Sequence, residues 1–163
     1  MRFRSPAVPA LSLHAVDVYP YRRAASGGFE WLVVRRVPGI TYGGTWRMVG
    51  GKIDGDEPAW RTALRELDEE TGWRPAHGLR QLWALPSVNA HYDWAHDRVV
   101  LAPAFAAEVE GDPVLDDEHD AFAWLPADAA AARLAWPEQA RLLRLAASLA
   151  EVARPDAWAV AVG

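Results

Sequence analysis

The sequence predicts an α/β fold in which helices cover both faces of a mixed β-sheet. Short apolar or alternating stretches recur in the order β-β-β-α-β-β-β-α, and two stretches, opening at Pro58 and Trp136, place apolar residues at helical spacing. The 163 residues, 51% apolar and 24% charged, suit one buried core and show no internal repeat. We expect a single domain over residues 1–163, with its core in about 11–150. The formal charge of −5 offers no basic stripe to a nucleic-acid backbone, so nucleic acid is not an expected partner. Cysteine is absent, which excludes a disulfide framework and a thiol nucleophile. Two prolines interrupt the opening MRFRSPAVPALSL, which does not read as a secretory signal, and no stretch approaches membrane-spanning length. A cytoplasmic protein is the expectation.

Leu11 to Tyr19 alternates apolar and polar residues and reads as a strand. A turn at Arg22–Gly28 leads to a second strand, Glu30–Val37, hairpinned to the first. Arg35 and Arg36 end that strand, either as solvated charges or as a guanidinium that binds two anionic oxygens at once. The loop Pro38–Thr45 is rich in glycine but lacks the Lys-Ser/Thr ending of a phosphate-binding P-loop, so it reads as a turn. Trp46 opens the next apolar run, Trp46–Val49, and is core or pocket lining.

That run meets Gly50 and Gly51, and a polar turn then feeds a helix with Pro58 in its first turn. Trp60, Ala63, Leu64, Leu67 and Thr71 share one side of this helix, while Glu66, Glu69 and Glu70 fall on a neighbouring sector. Three crowded carboxylates repel one another, and a hard divalent cation relieves that repulsion. A glycine turn beside them lets main-chain atoms approach such a cation or a phosphate. The plainer alternative is a solvated acidic face paired with Arg61 and Arg65. The row Glu57–Arg61–Arg65–Glu69 can also orient Glu57 and Glu69 as support for the cluster.

The stretch Gly51 to Trp73 resembles the Nudix box, G-x5-E-x7-R-E-U-x-E-E-x-G-U, with U a bulky aliphatic residue. Gly51, Glu57, Arg65, Glu66, Leu67, Glu69, Glu70 and Gly72 fall on the pattern; Trp73 departs at the last U, and Val49 replaces the usual proline. The resemblance implies the Nudix fold, an α/β/α sandwich. It also implies Mg²⁺-dependent hydrolysis, with Mn²⁺ as a substitute, of a nucleoside diphosphate linked to another moiety. Glu66, Glu69 and Glu70 would hold metal, with the Gly51 carbonyl as a further ligand, and Glu57 and Arg65 would brace the loop and helix. One of Arg35 and Arg36 would reach the substrate phosphates.

Leu79–Leu85 reads as a strand running into Pro86, and Ser87–Asp97 as a polar, broken loop. Tyr92 and Trp94 there are either surface anchors or rings that stack on a base, and His91 and His96 lack zinc-site spacing. Arg98–Val109 is a central strand. The acidic patch Leu115–Asp120 is a solvated loop by composition; the resemblance makes Glu118 an extra carboxylate for a second metal or for the water. Ala121–Leu125 is a strand, Pro126 starts an alanine-rich turn, and Trp136–Val152 is an amphipathic helix with Leu142, Leu143, Leu145 and Leu149 inward. Pro155 onward is loose or held by Trp158. The segment EHDAFAWL followed by WPEQ resembles the subgroup acting on dATP-like and dihydroneopterin triphosphates. Pairing into a homodimer through the sheet or the N-terminal segment is a further expectation of the resemblance. A non-catalytic nucleotide-sensing module is the alternative of another class, although such modules lose box glutamates and none is missing here.

Overall fold

Eight strands among the described residues form one mixed sheet in the computed structural model. The structure describes residues 8–162; the start of the stretch read above for a leader lies outside them. The strands are β1 (Ala10–Ser12), β2 (Ala15–Arg23), β3 (Phe29–Arg36), β4 (Trp46–Arg47), β5 (Val49–Lys52), β6 (Leu79–Asp93), β7 (Arg98–Val109) and β8 (His119–Leu125). Parallel β2 and β7 form the centre; β5 pairs antiparallel with β2, and β3 with both β4 and β8.

Alternation along the strands decides which core each side chain enters. Val16 and Val18 of β2, Leu32 and Val34 of β3, and Val49 of β5 face helix α1 (Ala59–Thr71), where Ala63 and Leu67 meet them. Tyr19, Tyr21, Trp31, Val33 and Met48 face the other way. They pack against α2 (Ala127–Arg133) and α3 (Pro137–Ala150) through Ala130, Leu142, Leu143 and Ala146. The expected α/β/α sandwich is therefore present.

Two expected elements differ. The strand expected at Leu11–Tyr19 is two strands, both against β7. Between the paired residues Ser12 and Asp17 this chain has one residue more than β7 has between Val100 and Ala104, so it kinks at Leu13–His14. The expected loop Ser87–Asp97 is strand as far as Asp93, with an irregularity between Ala84 and Val88 around Pro86, which has no N–H to donate. Its polar composition reflects a hairpin whose far half is largely exposed. Of the two alternatives for the tail, the held one is present: Trp158 packs against the core, Val160 N–H donates to Leu82 O at 2.9 Å and Ala159 bridges Trp83, so the tail lies along the outer edge of β6.

Candidate active site

The candidate site lies where β5 delivers its two glycines to α1. A Cβ on Gly51 would sit 2.2 Å from Glu66 Cδ, so the carboxylate occupies the space a side chain would fill. A Cβ on Gly50 would sit 2.3 Å from Val16 O, a backbone atom of the adjoining strand. The paired glycines thus do different work, Gly51 admitting the carboxylate and Gly50 admitting β2. Pro58 precedes the first helical turn, and Gly72 ends the helix at φ 78°, its N–H bonded to Asp68 O. Trp73 is buried and donates through Nε1 to Glu110 O at 2.9 Å, so the departure from the aliphatic pattern serves packing.

Arg65 joins the loop to the helix. It donates to Glu57 Oε2 at 3.0 Å, to Lys52 O at 2.9 Å, to Glu66 Oε1 at 2.8 Å and to Glu69 Oε2 at 3.4 Å. These bonds, with one from Thr62, hold the Glu57 carboxyl below its usual range. Arg61 does not extend the row as expected; it lies over the exposed Trp60 ring, at 5.1 Å.

The three box glutamates differ in environment. Glu69 is exposed, with 58% of its side chain accessible, whereas Glu70 is 7% exposed. Burial pushes the Glu70 carboxyl well above the usual range, only partly offset by Arg47, while Glu66 and Asp116 push it further. Burial also raises Glu66, in spite of Arg65 beside it. Glu70 Oε2 has no hydrogen-bond partner among the described residues.

These features suit a divalent cation. A buried, unpartnered carboxylate oxygen lies in the same cluster as a second carboxylate, and both are hard oxygen donors. As it stands, no three acidic or histidine side chains among the described residues converge as a ready metal site. Arg65 Nη1 instead lies between Glu66 and Glu69, supplying the positive charge.

Arg35 and Arg36, read above as solvated charges or a phosphate ligand, both have partners within the fold. Arg35 pairs with Asp120 at 2.8 Å; Arg36 donates to Thr41 O at 2.9 Å and to Glu118 Oε2 at 3.3 Å. Glu118 itself is exposed, its side chain turned to Arg36. The β3–β8 register shifts between Arg35 and Arg36, where these pairs form. Trp46 has guanidinium groups of Arg35 and Arg133 at 5.8 and 5.0 Å from its ring. Tyr92 and Trp94 sit at the exposed tip of the β6–β7 hairpin, where Tyr92 bonds Asp97 at 2.8 Å.

Sequence reasoning missed Arg47. It follows Trp46, forms no ion pair among the described residues, and is near enough to Glu70 to oppose the rise in its pKa. Also missed was a polar cluster on the opposite core face, Asp17, Asn89 and Gln139. Asn89 and Gln139 donate to Asp17 at 2.7 and 3.2 Å, and Met48 N–H donates to Gln139 at 3.2 Å. This network ties the start of α3 to β2 and the box strand. No local pattern announces residues so far apart in the chain.

A helix-braced acidic cluster thus lies beside a glycine strand in an α/β/α sandwich. The NUDIX domain model matches residues 13–146, and the chain belongs to the Nudix family. Two relatives are an octanoyltransferase of Myxococcus xanthus and an 8-oxo-(d)GTP phosphatase of Mycolicibacterium smegmatis. The first is 34% identical over 112 residues, 63% of this chain and 28% of that protein. The second is 32% identical over 103 residues, 61% of this chain and 29% of that protein. The chain thus spans less than a third of the length of these two curated relatives. Among solved structures, a NUDIX hydrolase of Listeria monocytogenes has a TM-score of 0.69 at 20% identity, over 86% of this chain and 95% of that one. The dihydroneopterin triphosphate pyrophosphohydrolase of E. coli scores 0.66 at 22% identity, over 80% and 91%. These likenesses show the fold.

Proposed function

We propose that this protein hydrolyses a phosphoanhydride bond of a nucleoside diphosphate linked to another moiety, with a (deoxy)nucleoside triphosphate or similar triphosphate as the favoured class. The products would then be a monophosphate and pyrophosphate. The carrying observation is the buried Glu70 carboxylate, whose Oε2 has no partner among the described residues, in one cluster with Glu66 and the side-chain-free Gly51. The name of the Mycolicibacterium smegmatis relative, an 8-oxo-(d)GTP phosphatase, supports a triphosphate substrate.

Glu66 and Glu70, with Glu69 from its exposed position and the Gly51 carbonyl, are the residues that would hold Mg²⁺ or Mn²⁺. The bound cation would supply charge stabilisation for the phosphate oxygens. The chain's own residues do the rest. Arg65 fixes Glu57, Glu66 and the Lys52 carbonyl in one rigid set, so the acidic groups are held before substrate arrives. Arg47, which forms no ion pair among the described residues and whose charge acts on Glu70, would bind a phosphate oxygen. A box carboxylate accepts the proton of the attacking water as its oxygen bonds to phosphorus and the anhydride P–O bond breaks. Tyr42, 58% exposed and edge-on to Trp136 at 4.8 Å, offers an aromatic wall for a base at the glycine loop.

The test is phosphate release with Mg²⁺ across a nucleotide panel, coupled either to inorganic pyrophosphatase or to alkaline phosphatase. Signal with pyrophosphatase alone supports the triphosphate reading. Signal only with alkaline phosphatase means two phosphomonoester products and redirects the substrate class to ADP-ribose, nucleotide sugars or dinucleoside polyphosphates. Tight nucleotide binding with no turnover would instead make the domain a nucleotide sensor.

A further inference from the structure

Two buried side-chain atoms lack a hydrogen-bond partner among the described residues: Glu70 Oε2 and His119 Nε2. Buried polar atoms are nearly always paired, so each asks for a cause. Glu70 is accounted for by the acidic cluster. His119 is not, although its side chain is 0% exposed.

Three observations place His119 on the side of the box. It opens β8 opposite Arg36 of β3, and cross-strand partners share a face. Arg36 alternates with Val34, which belongs to the core packed against α1, so His119 faces α1 as well. The loop ahead of it is clamped along that helix. Val114 N–H donates to Thr71 O at 2.9 Å, Leu115 packs into the same core, and Val37 N–H donates to Glu118 O at 2.9 Å.

Between these clamps stands Asp116, whose charge acts on Glu70 and whose Oδ1 lies 2.7 Å from His119 Nδ1. A carboxylate can only accept, so Nδ1 carries the proton, and in the neutral ring Nε2 is a bare lone pair. An imidazole oriented by a carboxylate through one nitrogen, with the other left as an acceptor, is the usual support arrangement of a metal or hydrolytic centre. For a purely structural side chain the unpaired nitrogen would be an uncompensated desolvation cost.

We propose that His119 is a positioning residue of the hydrolytic site: held by Asp116, its Nε2 shares a bridging water with Glu70 Oε2 and so fixes the Glu70 carboxylate for cation binding. One water donating to both atoms satisfies the two unpartnered acceptors together. The proposal rests on the hydrolase reading and on the assignment of Glu70 to the cation. It moves the supporting role of this loop from Glu118, whose side chain faces Arg36, to Asp116 and His119.

The experiment is calorimetric titration of Mn²⁺ into wild type, His119→Leu, His119→Gln and Asp116→Asn, with melting curves for each and turnover measured in parallel. Loss of an outer partner of this kind weakens metal binding by about 10–100-fold. His119→Leu should show that loss with its melting temperature preserved. His119→Gln, whose amide oxygen can still accept, should recover most of the affinity. Asp116→Asn, which releases the ring, should fall between them and keeps the test open if His119→Leu does not fold. Wild-type affinity in both His119→Leu and Asp116→Asn overturns the proposal, as does a loss of affinity that only follows a loss of stability. A wild type that binds no Mn²⁺ overturns it too. Normal Mn²⁺ binding with no turnover on any substrate overturns the hydrolase reading alone, and the affinities still judge His119.

Discussion

Environment divides residues of one chemical type into different tasks. Glu69 and Glu70 are neighbours in sequence, yet of the two Glu70 is buried, and burial pushes its carboxyl well above the ordinary value of 4.5. In the unfolded chain Glu70 ionises near 4.5, while the folded state keeps the proton to higher pH. Folded protein then binds more protons than unfolded, so stability falls as pH rises through that window. Burial raises Asp17 and Glu66 in the same direction. In EDTA the melting temperature should therefore drop as pH rises above the ordinary carboxylate range, Glu70→Gln should flatten part of that drop, and Mn²⁺ should offset it in wild type only. A drop unchanged by Glu70→Gln would place the buried charge elsewhere. The glycines should separate in the same way. Gly50→Ala forces a Cβ onto the backbone of β2 and should cost about 1–3 kcal/mol in denaturant unfolding. Gly51→Ala meets the end of a flexible glutamate, so it should lower kcat more than stability. Arg47→Ala should raise KM about 10-fold with a smaller change in kcat, read by steady-state kinetics.

At the scale of elements, α1 and the loop ahead of it act as one unit because Arg65 bonds both. Arg65→Lys keeps the charge but cannot reach Glu57, Glu66 and the Lys52 carbonyl together. It should lower kcat about 10–100-fold while leaving the fold intact by circular dichroism. A variant with full activity would show that the bracing is dispensable. Element identity was legible wherever side-chain period and punctuation agreed. The α1 helix, bounded by Pro58 and Gly72, appears at Ala59–Thr71, and α3 at Pro137–Ala150. Legibility failed at β6, where polar residues on an exposed hairpin look like loop, because composition reports exposure and pairing with β7 decides the strand.

Across the whole molecule, one sheet separates two cores, and the site depends on both. The Asp17–Asn89–Gln139 network ties α3 to β2, which pairs with β5 and so carries Gly50 and Gly51 toward α1. The tail closes the other side of the sheet. Arg154 lies over the Trp83 ring at 4.3 Å, and Val160 bonds Leu82. Removing residues 153–163 would bare the edge of β6, an open template for strand pairing. The shortened protein should self-associate in size-exclusion chromatography and melt earlier, while keeping the kcat/KM of the full chain. Loss of activity from the monomeric fraction would mean that the tail also supports the site.

The sequence by itself determined the α/β class, the box helix, and the acidic residues it carries. The class follows from the order of locally periodic stretches, and the helix and its acidic residues from spacing within one segment. It left Arg35 and Arg36 open between solvated charge and phosphate ligand, and made Glu118 the candidate of its loop. Only the tertiary structure showed that Asp120, Glu118 and the Thr41 carbonyl are bonded to those arginines, that Arg47 forms no ion pair among the described residues, and that the buried side chain of that loop is His119. The physical reason is range. Helical and strand periods are local properties of the chain, whereas burial, ion pairing and the shift of a carboxyl depend on residues that meet only when the sheet is assembled.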